Sequence, residues 1–130
     1  MGTRSTVKFI QKFDDGEQVL CSVYQQYDGY IDGVGHDLAN FLKGYNVVNG
    51  YNNSHTVGKH ANGIGCLSAQ YVQAKKDGIG GFYMTHANDE QEYNYRVFQE
   101  DDKILIEVDS FKGTPEELLA ITSLDDEDYE

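Results

Sequence analysis

Arg4, in the stretch "MGTRS", and the segment "YQQYDGY" at residues 24–30 carry the residue types that grip a nucleotide. A guanidinium holds phosphate or carboxylate through two parallel hydrogen bonds. Tyr24, Tyr27 and Tyr30 offer flat faces for a base, with hydroxyls at their tips. Gln25, Gln26 and Asp28 suit a purine edge or ribose hydroxyls. The plainer alternative is a surface pair between Arg4 and Asp28, contributing under about 1 kcal/mol, with the tyrosines packed along a sheet edge.

A second group lies in "KHANGIGCLSAQ" at residues 59–70. Gly63 and Gly65 let the backbone approach closely, and the free N–H groups of a helix start favour an anion. Lys59, His60 and Asn62 stand just upstream. The spacing matches neither the P-loop nor the dinucleotide fingerprint, and a tightly packed helix start accounts for the glycines at least as well. Cys66, near His60, is a nucleophile candidate. It has no identifiable third orienting group, and its place between Ile64 and Leu67 fits a buried, inert thiol better.

Metal chemistry finds little support. His36, His55, His60 and His86 show no zinc spacing. "DGYIDGVGHDLA" echoes a calcium loop through Asp28, Asp32 and Gly33, but Tyr30 and Ala39 occupy positions that need ligands. No metal and no cofactor are expected.

The elements that must position these residues begin with a hairpin. "STVKFIQKF" and "EQVLCSVYQQY" flank Asp14, Asp15 and Gly16, read as a three-residue turn with a bulge. Phe13 then pairs with Glu17, and paired numbers sum to 30. Val7, Phe9 and Phe13 share the core face with Val19, Cys21 and Val23. Arg4, Thr6, Lys8 and Lys12 share the other with Gln18, Ser22, Tyr24 and Gln26. This register puts Arg4 opposite Gln26 and diagonal to Asp28, within reach of a long side chain.

Val34, Leu38, Phe41 and Leu42 give a helix over residues 33–44, and Ile64, Leu67, Tyr71 and Val72 give a second from residue 63. A long polar loop separates them. "IGGFYMTH" reads as a strand. "EYNYRVFQ" and "KILIEVDSF" read as a hairpin that pairs Glu100 with Lys103, Val97 with Ile106 and Arg96 with Glu107. Thr114, Pro115 and Glu117 open a last helix with a capping box. The order ββααβββα implies an α+β domain over residues 1–122: a mostly antiparallel five-stranded sheet with helices on one face. Residues 123–130 form an acidic tail. With the hairpin's outer face mixing Ile10, Leu20 and Tyr24 with lysines and nothing evident to cover it, a homo-oligomer is expected.

The 130 residues carry a net charge of −12, which argues against nucleic-acid polymers and anionic membranes as partners. No apolar run is long enough to span a bilayer, and no signal-peptide pattern is present. Two cysteines make no disulfide framework, so the cytoplasm is the expected compartment. Gly2 and Thr6 fit the N-myristoylation consensus; a short lead into the first strand explains them more simply.

In "MGTRS", "DGY", the "G-x-G-x-x-L-A-x-F-L" helix (Gly33–Leu42) and "ANGIGCLSAQ" (Ala61–Gln70), the chain resembles a family of small proteins from phages, bacteria and some large DNA viruses. Ile31 departs from that family's "DGYP". The resemblance implies a phage or bacterial setting and carries over no catalytic residue. Small phage proteins of this profile often inhibit host systems, some by holding nucleotide immune signals without cleaving them. The leading expectation is thus a non-enzymatic module that captures a small nucleotide-like ligand of cyclic or modified ADP-ribose type. Arg4 and the Gly63–Gly65 helix start would hold phosphate, and Tyr24, Gln26, Asp28 and Tyr30 the base and ribose. The alternatives are an enzyme cleaving such a signal with His60 or Cys66, and a protein-binding inhibitor using the acidic tail.

Overall fold

The computed structural model describes residues 2–50 and 59–127, with side chains described as far as Thr122; His55 lies outside this range. Eight strands and three α-helices follow one another: β1 (Ser5–Phe13), β2 (Gly16–Gln25), a five-residue π turn (Ile31–Gly35), α1 (His36–Leu42), β3 (Asn46–Val48), β4 (His60–Asn62), α2 (Gly63–Lys75), β5 (Phe82–Met84), β6 (Tyr93–Glu100), β7 (Lys103–Val108), β8 (Phe111–Gly113) and α3 (Pro115–Glu127). The fold is α+β. The sheet is not the five-stranded, mostly antiparallel one expected. It is a mixed six-stranded sheet in the order β5-β2-β1-β6-β7-β8, beside a small parallel pair of β3 and β4.

The mixing arises at one junction, where β6 lies parallel to β1 and pairs Val7 with Tyr95 and Phe9 with Val97. After β5 the chain crosses the sheet through residues 85–92 and enters on the far side of β1. Side-chain alternation fixes which face a strand shows, not its direction, so both orientations satisfy the apolar pattern of β6. The long polar loop also hides the β3–β4 pair, and the separate strand β8 was not expected.

The first hairpin keeps the expected register from Ser5–Gln25 to Phe9–Cys21. A bulge then shifts it by one, so Ile10 pairs with Val19 and Phe13 with Gly16. The extra residue is therefore Leu20 within β2, not a turn residue. Phe13, expected in the core, is 54% exposed beyond this bulge. The β6–β7 hairpin pairs Glu100 with Lys103, Val97 with Ile106 and Arg96 with Glu107. The capping box forms as well: the Glu117 N–H donates to Thr114 Oγ1 at 3.2 Å, and the Thr114 N–H to Glu117 Oε1 at 2.7 Å. The α3 backbone continues to Glu127, so the acidic stretch begins inside a helix.

One core joins the sheet to the helices. Val7, Phe9, Val23, Tyr95, Val97 and Ile106 meet Leu38 and Leu42 of α1, Ile64, Leu67 and Tyr71 of α2, and Leu118 of α3. Removing such side chains from water stabilises by about 1.5–3 kcal/mol each. Of the residues on which the expected oligomer rests, Ile10 is covered by the chain itself, whereas Leu20 is 43% exposed. Ile10 and Phe98 are buried. The Lys12 ammonium lies 4.5 Å from the Phe98 ring centre, and Lys112 and Arg96 also overhang it. Arg96 in turn forks onto Glu17 at 2.8 and 2.9 Å and reaches Glu107 at 2.9 Å. Farther along this face the 85–92 crossover covers Lys8. At the β5 edge, Lys76 Nζ donates to the Phe82 carbonyl at 2.7 Å and the Gly80 carbonyl at 3.3 Å.

None of the described helices is long and apolar enough to cross a membrane.

Candidate functional site

The segment Gly2–Thr6 is knitted into the fold at every position but one. Gly2 lies so close to the Gln26 backbone that a Cβ there would stand 2.2 Å from its carbonyl oxygen. The Thr3 carbonyl accepts the Gly29 N–H at 2.8 Å. Gly29 leaves no room for a side chain against Ser5 and Thr3, and its own carbonyl accepts the buried Tyr95 hydroxyl at 2.7 Å. Ser5 is buried, and Thr6 Oγ1 donates to Asn94 at 2.7 Å. The Arg4 side chain is not tied down in this way. Its backbone pairs with Glu92 and Tyr93, while among the described residues its exposed guanidinium makes no hydrogen bond or ion pair.

Arg4 stands on the wall of an open hollow of about 330 Å³, shared with Tyr24, Tyr83, Met84, Thr85, Asp89 and Gln91. That volume is at the lower end of small-molecule sites. β2 and β5 pair Tyr24 with Tyr83, and their ring centres lie 5.9 Å apart. The crossover supplies the other wall and is tied down at several points. Lys8 Nζ donates to the Asp89 carbonyl at 2.6 Å and to Glu90 at 2.9 Å. Asn94 accepts the Gln91 N–H and donates to the Gln91 carbonyl, both at 2.9 Å. Thr85 Oγ1 donates to Asp89 Oδ2 at 2.7 Å, and Gln91 Nε2 to Asp89 Oδ1 at 2.6 Å. The Thr85 hydrogen bond, aided by Gln91 and by the charges of His86 and Lys8, holds the Asp89 carboxyl below its ordinary range despite some desolvation.

The other expected ligand residues lie elsewhere. Gln26 follows β2 across from Arg4, and its N–H donates to the Gly81 carbonyl at 3.0 Å. Asp28 adopts φ +58°, a left-handed conformation that Asp tolerates better than most residues. It lines a separate hollow of about 270 Å³ with Tyr27, Gly33 and Asp37. The Tyr30 hydroxyl donates to Asp28 at 3.3 Å, and the Asp28 charge raises the pKa of this exposed tyrosine. No Arg4–Asp28 pair forms among the described residues.

The glycine-rich helix start is at the opposite end of the sheet. Asn62 and Gly63 line a hollow of about 480 Å³ with Gln11 and Gln99. Gln11 is seven positions along the strand from Arg4, about 23 Å at the rise of an extended chain. Arg4 and the helix start therefore cannot hold one phosphate between them. Asn62 accepts the Gly50 N–H at 2.7 Å, the His60 carbonyl accepts Gln70 Nε2 at 3.4 Å, and Lys59 donates to the Lys43 carbonyl at 2.7 Å. Gly65 is exposed. So is Cys66, expected to be buried: the first turn of α2 turns Ile64 and Leu67 inward and Cys66 outward.

Of the expected residues, then, only Tyr24 shares the hollow that Arg4 lines. Tyr83, Met84, Thr85, Asp89 and Gln91 complete it and were not anticipated. The one signal for them was the alternation of "FYM", which places Tyr83 beside Tyr24 once β5 is known to pair with β2. Among the described residues no group of three or more His, Cys, Asp or Glu is placed to hold a metal. Comparison with family models, with curated proteins and with solved structures finds no match to this chain.

Proposed function

We propose that the protein is a non-enzymatic binding module that captures a small phosphorylated, nucleotide-like ligand in the hollow between Arg4, the Tyr24–Tyr83 pair and the 85–92 crossover. The observation that carries this reading is the unpaired Arg4 guanidinium beside two adjacent aromatic rings. The guanidinium supplies a fork for phosphate, and the rings a platform for a base. Holding rather than cleaving is favoured by the lining, whose described side chains are Arg, Tyr, Met, Thr, Asp and Gln. The resemblance to phage and bacterial proteins points to a host nucleotide signal, of cyclic or modified ADP-ribose type, as the captured molecule.

The test is incubation with a nucleotide panel that includes AMP, ADP-ribose and cyclic ADP-ribose, removal of unbound material, heat release and chromatography. Intact nucleotide on release supports capture. A chemically altered product supports the enzyme alternative instead, and failure to retain any nucleotide removes the reading.

A further inference from the structure

Asp89 lines the hollow with most of its surroundings already committed. A carboxylate offers about four acceptor positions. Thr85 Oγ1 takes one on Oδ2 and Gln91 Nε2 takes one on Oδ1, which leaves one acceptor position on each oxygen. The same two contacts use the Thr85 hydroxyl proton and one of the two Gln91 amide protons, and Asp89 presents to the hollow a pair of acceptors side by side. Its position is fixed from behind by Lys8, bonded to the Asp89 carbonyl at 2.6 Å, and by Asn94, bonded to the backbone of Gln91. A preorganised pair of acceptors recognises a matching pair of donors with little ordering cost. Those donors are best neutral. Lys8, buried behind the loop, already supplies positive charge near this carboxylate, and Arg4 adds more in the same hollow.

We infer that Asp89 selects the ligand by accepting hydrogen bonds from two neighbouring hydroxyls, as in the 2′,3′-diol of ribose. This rests on the nucleotide reading of the same hollow and narrows it to ribonucleotides. Arg4 and the tyrosines would bind deoxy and ribo forms alike, and the discrimination belongs to Asp89.

The experiment is calorimetric titration of the whole chain with AMP, ADP and their 2′-deoxy counterparts, repeated with Asp89→Asn. The wild type should bind each ribonucleotide about ten- to a hundredfold more tightly than its deoxy form, the range expected for hydrogen bonds to a charged acceptor. Asp89→Asn should bind both forms weakly and almost equally, with an unchanged far-UV circular dichroism spectrum. Equal wild-type affinity for ribo and deoxy forms would overturn the inference and leave the nucleotide reading standing. Persistence of the preference in Asp89→Asn would assign the diol to another residue and also overturn it. If none of the four nucleotides binds, the inference falls, and the panel with ADP-ribose and cyclic ADP-ribose decides the reading beneath it. The comparison of ligands on the wild type does not depend on the variant folding.

Discussion

Lys8, an interior residue of β1, reaches through the face of the sheet opposite the helices to the main-chain carbonyl of Asp89, 2.6 Å away. Its side chain is only 5% exposed, while that of Glu90, its ion-pair partner, is 69% exposed. The ammonium thus serves as a strut from sheet to crossover more than as half of an ion pair. Lys8→Met keeps the aliphatic stem but strands the Asp89 carbonyl without its donor. The expected loss is about 1–3 kcal/mol of stability, measured by urea denaturation. Glu90→Gln should cost under about 1 kcal/mol, since its charge is largely solvated.

Arg4→Ala should weaken nucleotide binding roughly tenfold to a hundredfold, as the loss of a charged hydrogen-bond donor predicts. Its melting temperature should stay close to wild type, because the guanidinium makes no hydrogen bond or ion pair among the described residues. Arg4→Lys should recover part of the affinity, an ammonium lacking the two-pronged geometry. Asp28→Asn should leave binding unaltered, since Asp28 faces a different hollow. Titration of the three variants side by side checks this, and wild-type affinity in Arg4→Ala would remove the proposed site.

Two glycines separate packing from turn flexibility. In Gly2→Ala the new methyl would meet the Gln26 carbonyl oxygen at 2.2 Å and the Tyr27 ring at 2.8 Å. Backbone must move, with a loss of about 1–3 kcal/mol, the usual cost of overpacking. In Gly16→Ala the methyl meets nothing within 4 Å, and stability should be unchanged or slightly higher. Thermal melts of the two variants should therefore shift in clearly different ways.

The two thiols should differ in reactivity. Cys66 is exposed in the first turn of α2, whereas Cys21 is half-buried and desolvation raises its pKa. Brief iodoacetamide treatment followed by peptide mass spectrometry should label Cys66 first. Cys66→Ser should bind nucleotide like the wild type, because the helix start lies at the far end of the sheet from Arg4.

The pH response of binding follows from Asp89. A carboxyl whose folded pKa is depressed contributes stability above its unfolded pKa and loses it as pH falls through the folded value. The ordinary aspartate value is 3.8, and Thr85, Gln91, His86 and Lys8 hold Asp89 below it. The Asp89 contribution to affinity should be constant from pH 5 to pH 8 and disappear only below the ordinary aspartate range. Loss of the ribose preference already at pH 5 would contradict this.

Local pattern carried the sequence reading a good way. The pairing of Val7 with Val23, the charge pair of Arg96 with Glu107 and the capping box of Thr114 with Glu117 all follow from neighbours in sequence or from hairpin register. The association of Arg4 with Tyr24 follows from the same register. What remained hidden depends on contacts between distant segments. Nothing in the alternation of "YNYRVF" says that Tyr95 should run parallel to Val7. Thr85 and His86 read as the end of one strand and Glu92 as the start of the next, and the short polar run between them gives no sign that Lys8 and Asn94 fasten it across the sheet. The split between Arg4 and Gly63 has a similar origin. Both were expected to hold phosphate together, yet β1 carries their surroundings to opposite ends.

Lys76 has a consequence for how this molecule behaves in company. In β5 the Phe82 carbonyl points away from β2, toward the place where an added strand would dock, and the Lys76 ammonium already occupies it. A border only three residues long, guarded by a charge, is a poor template for an incoming chain. Lys76→Ala would reopen this margin beside the exposed side chains of Ile79, Tyr83 and Met84. One side chain on the turn after α2 thereby caps the outward backbone of this edge, next to the tyrosine-lined side.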